Sequence, residues 1–216
     1  MTGQHKGERM KLHTYIQKLR AYPEKFSLRS ELLFSLGVLL LGLIFSIGEK
    51  ATEGVFSSGI WGGDIGIRVF LAVLISAYSR YPISAAVNSL LFFLPRWLIC
   101  SPYEIFWLEF FSRNDWLGWL IIVGVTFLTG FGVWFSKGKG VLGSVFLSLP
   151  AAILFSGGFQ AFYSADFMTW LLLLLWIALL LILPKTLKQK LVAFALSILF
   201  VTVPILVRLL PYFFLG

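Results

Sequence analysis

Apolar residues run along this chain in seven long windows, near residues 32–48, 65–79, 83–101, 117–135, 141–162, 167–183 and 191–212. Polar and charged residues gather between them. A helix that crosses a bilayer needs about 20 apolar residues, each rising about 1.5 Å. A water-soluble chain of this size could not hide that many such stretches in one small core. The pattern predicts an all-α, polytopic membrane helical bundle of about seven transmembrane helices, with residues 1–30 as a basic tail and 31–216 as the bundle. The second window is short and must borrow from its Gly-rich flank, where Trp61, Gly62, Gly63 and Asp64 sit.

Composition agrees: of 216 residues, 58% are hydrophobic, 17% aromatic and only 13% charged, far from soluble averages. The net charge of +8 is therefore read first as topology. The tail carries Lys6, Arg9, Lys11, Lys18, Arg20, Lys25 and Arg29 ahead of the first apolar run. A signal peptide would place its apolar region much closer to Met1 and follow it with a small-residue cleavage site. Three short turns add Arg80, then Lys137 and Lys139, then Lys185, Lys188 and Lys190, so 13 of the 18 basic residues fall on one side and only Lys50 and Arg113 on the other. Cytoplasmic loops hold the excess of Lys and Arg, which puts the N-terminus in the cytoplasm and the C-terminus outside. The acids show the reverse bias, with Glu49, Glu53, Asp64, Glu104, Glu109, Asp115 and Asp166 outside against Glu8, Glu24 and Glu31 inside. The localisation expected is the cell membrane, multi-pass.

Between the third and fourth windows, residues 101–116 mix Tyr103, Phe106, Trp107, Phe110, Phe111 and Trp116 with acids and Arg113. Aromatic rings prefer the headgroup level, so this segment is expected to lie along the outer interface. After the first window the chain parses as three hairpins around the basic turns, and the ascending helices carry Pro95, Pro150 and Pro204 in their outer halves. Proline frees a carbonyl and bends a membrane helix, tolerated where neighbours or a cavity satisfy the backbone. Three prolines at like depth predict a vestibule open to the outside. Small residues, among them Gly37, Gly42, Ala85, Ser89, Gly130 and Gly132, mark expected packing faces.

Three charges remain inside the windows: Arg68, Arg96 and Arg208. Arginine keeps its proton, and a central position costs about 2.5–3.5 kcal/mol on insertion scales, so each must snorkel, meet an acid or face water. Two readings stand open. In one, the guanidinium forks of Arg96, Arg68 and Arg208 clamp a small anionic ligand or lipid headgroup while Asn88, Gln160 or Tyr163 adds neutral hydrogen bonds. In the other, Arg68 and Arg208 snorkel and Arg96 pairs with Glu104, Glu49 or Glu53, with no ligand. Arg96 is expected to be deepest, with the least room to snorkel.

Chemistry of other kinds finds little support. Cys100 stands alone, and His5 and His13 both lie in the tail, so neither a zinc site nor a Cys–His nucleophile is expected. Gly138-Lys139-Gly140-Val141-Leu142-Gly143 satisfies G-x-G-x-x-G, but it joins two apolar helices rather than a strand and a helix and reads as a tight turn. Without Walker, H-E-x-x-H, nucleophile-elbow or paired-acid motifs, no enzyme activity, catalytic residue, metal or cofactor is expected. No stretch supplies the broad basic surface of a nucleic-acid reader.

The segment Ser76-Ala77-Tyr78-Ser79-Arg80-Tyr81-Pro82-Ile83-Ser84-Ala85-Ala86-Val87-Asn88, together with Trp134-Phe135-Ser136-Lys137-Gly138-Lys139-Gly140, resembles an uncharacterised family of small multi-span membrane proteins from Gram-positive bacteria. The likeness covers roughly residues 35–200, resting on an aromatic-Ser-Lys-Gly-Lys-Gly turn after a Trp-ended span. It implies a multi-span fold and no particular activity. Where that family has a Tyr-rich run after the third span's Phe-Phe, this chain has Leu94-Pro95-Arg96-Trp97. The function expected is transport-type binding of a small anionic or polar ligand in an outward-facing pocket, with an energising membrane protein as partner. The rival is a non-transporting accessory or immunity protein that binds a peptide, lipid or partner protein in the bilayer.

Overall fold

A computed structural model describes residues 20, 28–52, 64–107, 113–138, 140–163 and 167–214. The fold is all-α. Seven α-helices are described: α1 (Leu28–Thr52), α2 (Asp64–Tyr78), α3 (Pro82–Trp107), α4 (Arg113–Trp134), α5 (Leu142–Gly158), α6 (Phe167–Ile182) and α7 (Leu187–Phe214). Short 3-10 turns at Phe135–Lys137 and Phe159–Phe162 follow α4 and α5. Each predicted window falls largely on one of these helices, the fifth running on through the 3-10 turn at Phe159–Phe162. Among the described residues, Leu28–Gly48, Leu142–Phe162 and Leu187–Pro204 are long and apolar enough to cross a membrane, and Gly66–Tyr78 and Phe167–Ile182 are shorter apolar helices. A helix satisfies its backbone hydrogen bonds within itself, so apolar sequence can form one with no polar partner outside.

Two groups of helices flank a central one. α3 lies against α1 and α4, α5 lies against α6 and α7, and α2 touches α3, α4, α5 and α6. At 15 residues, α2 rises only about 22 Å. Gly130 lets α3 and α4 close up: a Cβ there would lie 2.6 Å from Ser89 Cβ and 2.9 Å from the Ala85 carbonyl. Of the other glycines expected at packing faces, Gly42 meets the Phe92 backbone, whereas Gly37 has nothing within 4 Å. In the second group the Trp176 ring packs on Phe155 and Phe194 at 4.8 and 5.3 Å. Its Nε1 donates to Ser197 Oγ at 3.2 Å, so the buried indole keeps a partner. Large apolar side chains also cover the outside, including Leu33, Leu36, Ile44, Leu128, Leu174 and Leu181.

The basic turns share one end of the bundle. Arg80 Nε lies 3.9 Å from Glu31 Oε1 at the start of α1. Trp134, fully buried, donates from Nε1 to the Ser79 carbonyl at 3.0 Å, and Lys137 Nζ sits 2.8 Å from the centre of the Tyr78 ring. Arg20 reaches the same place, donating to the Trp134 carbonyl and lying 4.4 Å over its ring. Burial lowers the pKa of Arg20 to about 10, which leaves it cationic at neutral pH.

Gln189 ties the third basic turn to the second. Its Oε1 accepts from the backbone N–H of Lys185 and Thr186 at 3.0 and 3.2 Å, while its own N–H donates to Thr186 Oγ1 at 3.3 Å. That is a capping box at the start of α7, Thr186-x-x-Gln189. The Gln189 Nε2 donates to the carbonyls of Gly138 and Gly140 at 3.1 and 2.7 Å. Gly140, at φ +103°, holds a left-handed conformation costly for a side-chain-bearing residue. The G-x-G-x-x-G stretch is thus a helix connection, its carbonyls held by an amide from another turn.

α3 continues unbroken through Trp107, and α5's predecessor α4 begins at Arg113, so the described parts of residues 101–116 extend two helices. Residues 108–112, most of the tail, and the side chains of Cys100, Arg208 and the outer acids lie outside the described residues.

Candidate functional site

A cavity of about 460 Å³ lies between α2, α3, α4 and α5, within the roughly 300–1,000 Å³ common for small-molecule sites. Arg68 on α2 and Arg96 on α3 both line it. The two helices are antiparallel around the Ser79–Tyr81 turn, and the helical rise puts Arg68 about 15 Å and Arg96 about 21 Å from that turn. Both residues therefore belong to the end remote from the basic turns. The lower wall is apolar, with Val69, Ala72, Val73, Phe93 and Val133.

Arg68 is fully buried. The reading in which it snorkels is thus not met, and Arg96 is the more exposed of the two. The reason is the central position of α2, enclosed by four other helices. Among Arg68's contacts, Nη2 donates to Ser46 Oγ at 3.5 Å, and the guanidinium stands 5.9 Å over the Phe45 ring. Ser46 in turn donates to the Gly42 carbonyl at 2.8 Å. α1 thereby contributes to positioning Arg68 without lining the cavity.

The remaining candidates separate. Asn88 is fully buried but outside the cavity lining, its Oδ1 accepting from Ser35 Oγ at 2.7 Å and its Nδ2 donating to Ser79 Oγ at 3.1 Å. It bonds α1, α3 and the end of α2 together. Gln160 and Tyr163 fall in and just after the second 3-10 turn, exposed, with Tyr163 stacking edge-on against Phe159 at 5.6 Å. Neither lines the cavity. Of the three prolines expected to frame a vestibule, Pro150 alone is in the lining; Pro95 is buried beside Arg96, and Pro204 is exposed.

Side chains not among the ligand candidates complete the site: Ser76 and Ser89, the latter expected only as a packing residue, toward the basic end, and Thr126 and Thr129 on α4. Ser76 Oγ donates to the Ala72 carbonyl at 2.8 Å, and Thr129 Oγ1 to the carbonyls of Val125 and Thr126 at 3.1 and 3.2 Å. A hydroxyl bonded to its own helix is easily placed on an apolar face, and that spacing was a signal available in the sequence.

No protein-family model, curated protein or solved structure matches this chain.

Proposed function

We propose that this chain is a multi-pass protein of the cell membrane with seven spans, its N-terminus cytoplasmic and its C-terminus outside. In this reading it is a transport-type protein holding an anionic small molecule in the cavity between α2, α3, α4 and α5. The observation that carries the binding site is the convergence of Arg68 and Arg96, from separate helices, on the same end of one cavity. Guanidinium forks match carboxylate and phosphate geometry, and an apolar surround strengthens their attraction for an anion.

The membrane reading is supported by the long apolar helices and by the many large apolar side chains exposed along them, such as Leu33, Ile44, Leu174 and Leu181. The gathering of Arg80, Lys137 and Lys185 at one end supports the orientation, because cytoplasmic turns hold Lys and Arg. The arginine end of the cavity then faces outward. Kinship with the small multi-span proteins of Gram-positive bacteria belongs to the same proposal. It rests on the two sequence segments, residues 76–88 and 134–140, that carry the likeness.

Native mass spectrometry of the gently extracted protein tests the site. The wild type is expected to retain an anionic molecule that Arg96→Ala loses, with the unfolding temperature in the absence of ligand unchanged. Equal retention by both proteins removes the clamp.

A further inference from the structure

We infer that the ligand is a single-chain anionic amphiphile taken laterally from the bilayer, its headgroup on Arg68 and Arg96 and its alkyl tail along the cavity toward Ser76. This rests on the anion-binding reading above and assigns its ligand class. The polarity of the cavity is graded from one end to the other. Arg68 and Arg96 line the outer end, the other polar residues of the lining are Ser76, Ser89, Thr126 and Thr129, and of these the Ser76 and Thr129 hydroxyls are turned to carbonyls of their own helices. A compact hydrophilic anion would use the clamp and leave the apolar length of the cavity unmatched, whereas an alkyl tail fills it.

The length also fits. From Arg68 to Ser76 the helix rises about 12 Å. An extended alkyl chain, with bonds of about 1.5 Å advancing roughly 1.25 Å per carbon along the zigzag, covers that distance with about ten carbons.

The sides of the cavity give the route. Ile121 and Val125 on α4, and Leu149 and Ile153 on α5, line the cavity while remaining 65%, 49%, 40% and 50% exposed. A residue that is both wall and outer surface marks an opening, and here its edges are aliphatic. In a membrane-embedded bundle this slit meets acyl chains instead of water. A tail can slide in sideways without leaving hydrocarbon, while the headgroup moves at the depth of the two arginines.

The test uses the full chain in nanodiscs of a zwitterionic lipid, with decyl phosphate, inorganic phosphate and decanol as probes at equal concentration. Decyl phosphate is expected to bind one to one, at least tenfold more tightly than either other probe, and Arg96→Gln is expected to lower its affinity at least tenfold. Ile153→Trp, at a half-exposed position, should narrow the slit and slow the association of decyl phosphate at least tenfold. Inorganic phosphate binding as tightly as decyl phosphate overturns the amphiphile and leaves the anion site standing. Binding of neither anion, or binding indifferent to Arg96→Gln, overturns both. Association of decyl phosphate with Ile153→Trp at the wild-type rate overturns the lateral route.

Discussion

At the basic end of the bundle, Asn88 lies between Ser35 and Ser79 at 2.7 and 3.1 Å, and Trp134 donates to the Ser79 carbonyl at 3.0 Å. At the arginine end, Arg68 meets Ser46 Oγ at 3.5 Å, stands over the Phe45 ring and lines a cavity shared with Arg96. Both ends bury polar groups in an apolar bundle, yet they use them differently. An amide enclosed by short contacts to two other helices works as a joint. A guanidinium, with five donors in a rigid fork, placed on a cavity wall can hold something that arrives later. Burial of a polar side chain is therefore a poor guide to function until its surroundings are known.

Substitutions can separate these roles. The largest effect is expected for Trp134→Ala, which empties a fully buried site and removes the bond to Ser79, at about 3–5 kcal/mol; thermal unfolding in detergent reads it. Next is a dissociation between the ends. With decyl phosphate at a hundred times its dissociation constant, the wild type should gain about 2.7 kcal/mol, Arg96→Gln, bound at least tenfold more weakly, no more than about 1.4 kcal/mol, and Asn88→Ala the full wild-type amount. Loss of the ligand-induced shift in Asn88→Ala would merge the two ends into one site. Gln189→Ala removes the capping box and the clamp on the Gly138 and Gly140 carbonyls, at about 1–2 kcal/mol, and should leave the ligand shift unchanged. Smallest is the cost of Asn88→Ala itself, near 1 kcal/mol, because interhelical hydrogen bonds in membranes average about 0.6 kcal/mol each.

The helices were legible in the sequence because a long apolar run bounded by charges leaves the backbone few alternatives. Arg68 and Arg96 stood out for a related reason, since a charge inside such a run has to be accommodated. Their partners were harder to read. Asn88, Gln160 and Tyr163 all offer neutral hydrogen-bonding groups, and only the packing puts the first in a joint and the other two on an exposed turn. In helices apolar on both faces, such as α6, the spacing of polar residues does not say which face turns inward. The depth of Arg68 escaped for the same reason: its distance from the helix end suggested the surface, and the enclosure of α2 decided otherwise. Gln189 was missed although Thr186-x-x-Gln189 is a recognisable helix start.

The cavity draws its walls from α2, α3 and α4 and from the later α5, which carries Leu149, Pro150 and Ile153. Synthesis proceeds from the N-terminus, so three walls exist before the fourth has been made. Until α5 and α6 dock against α2, the Arg68 helix lacks part of its enclosure. Maturation of the site is thereby tied to completion of the C-terminal half, and a ribosome-stalled intermediate ending after α4 should be unable to hold the ligand.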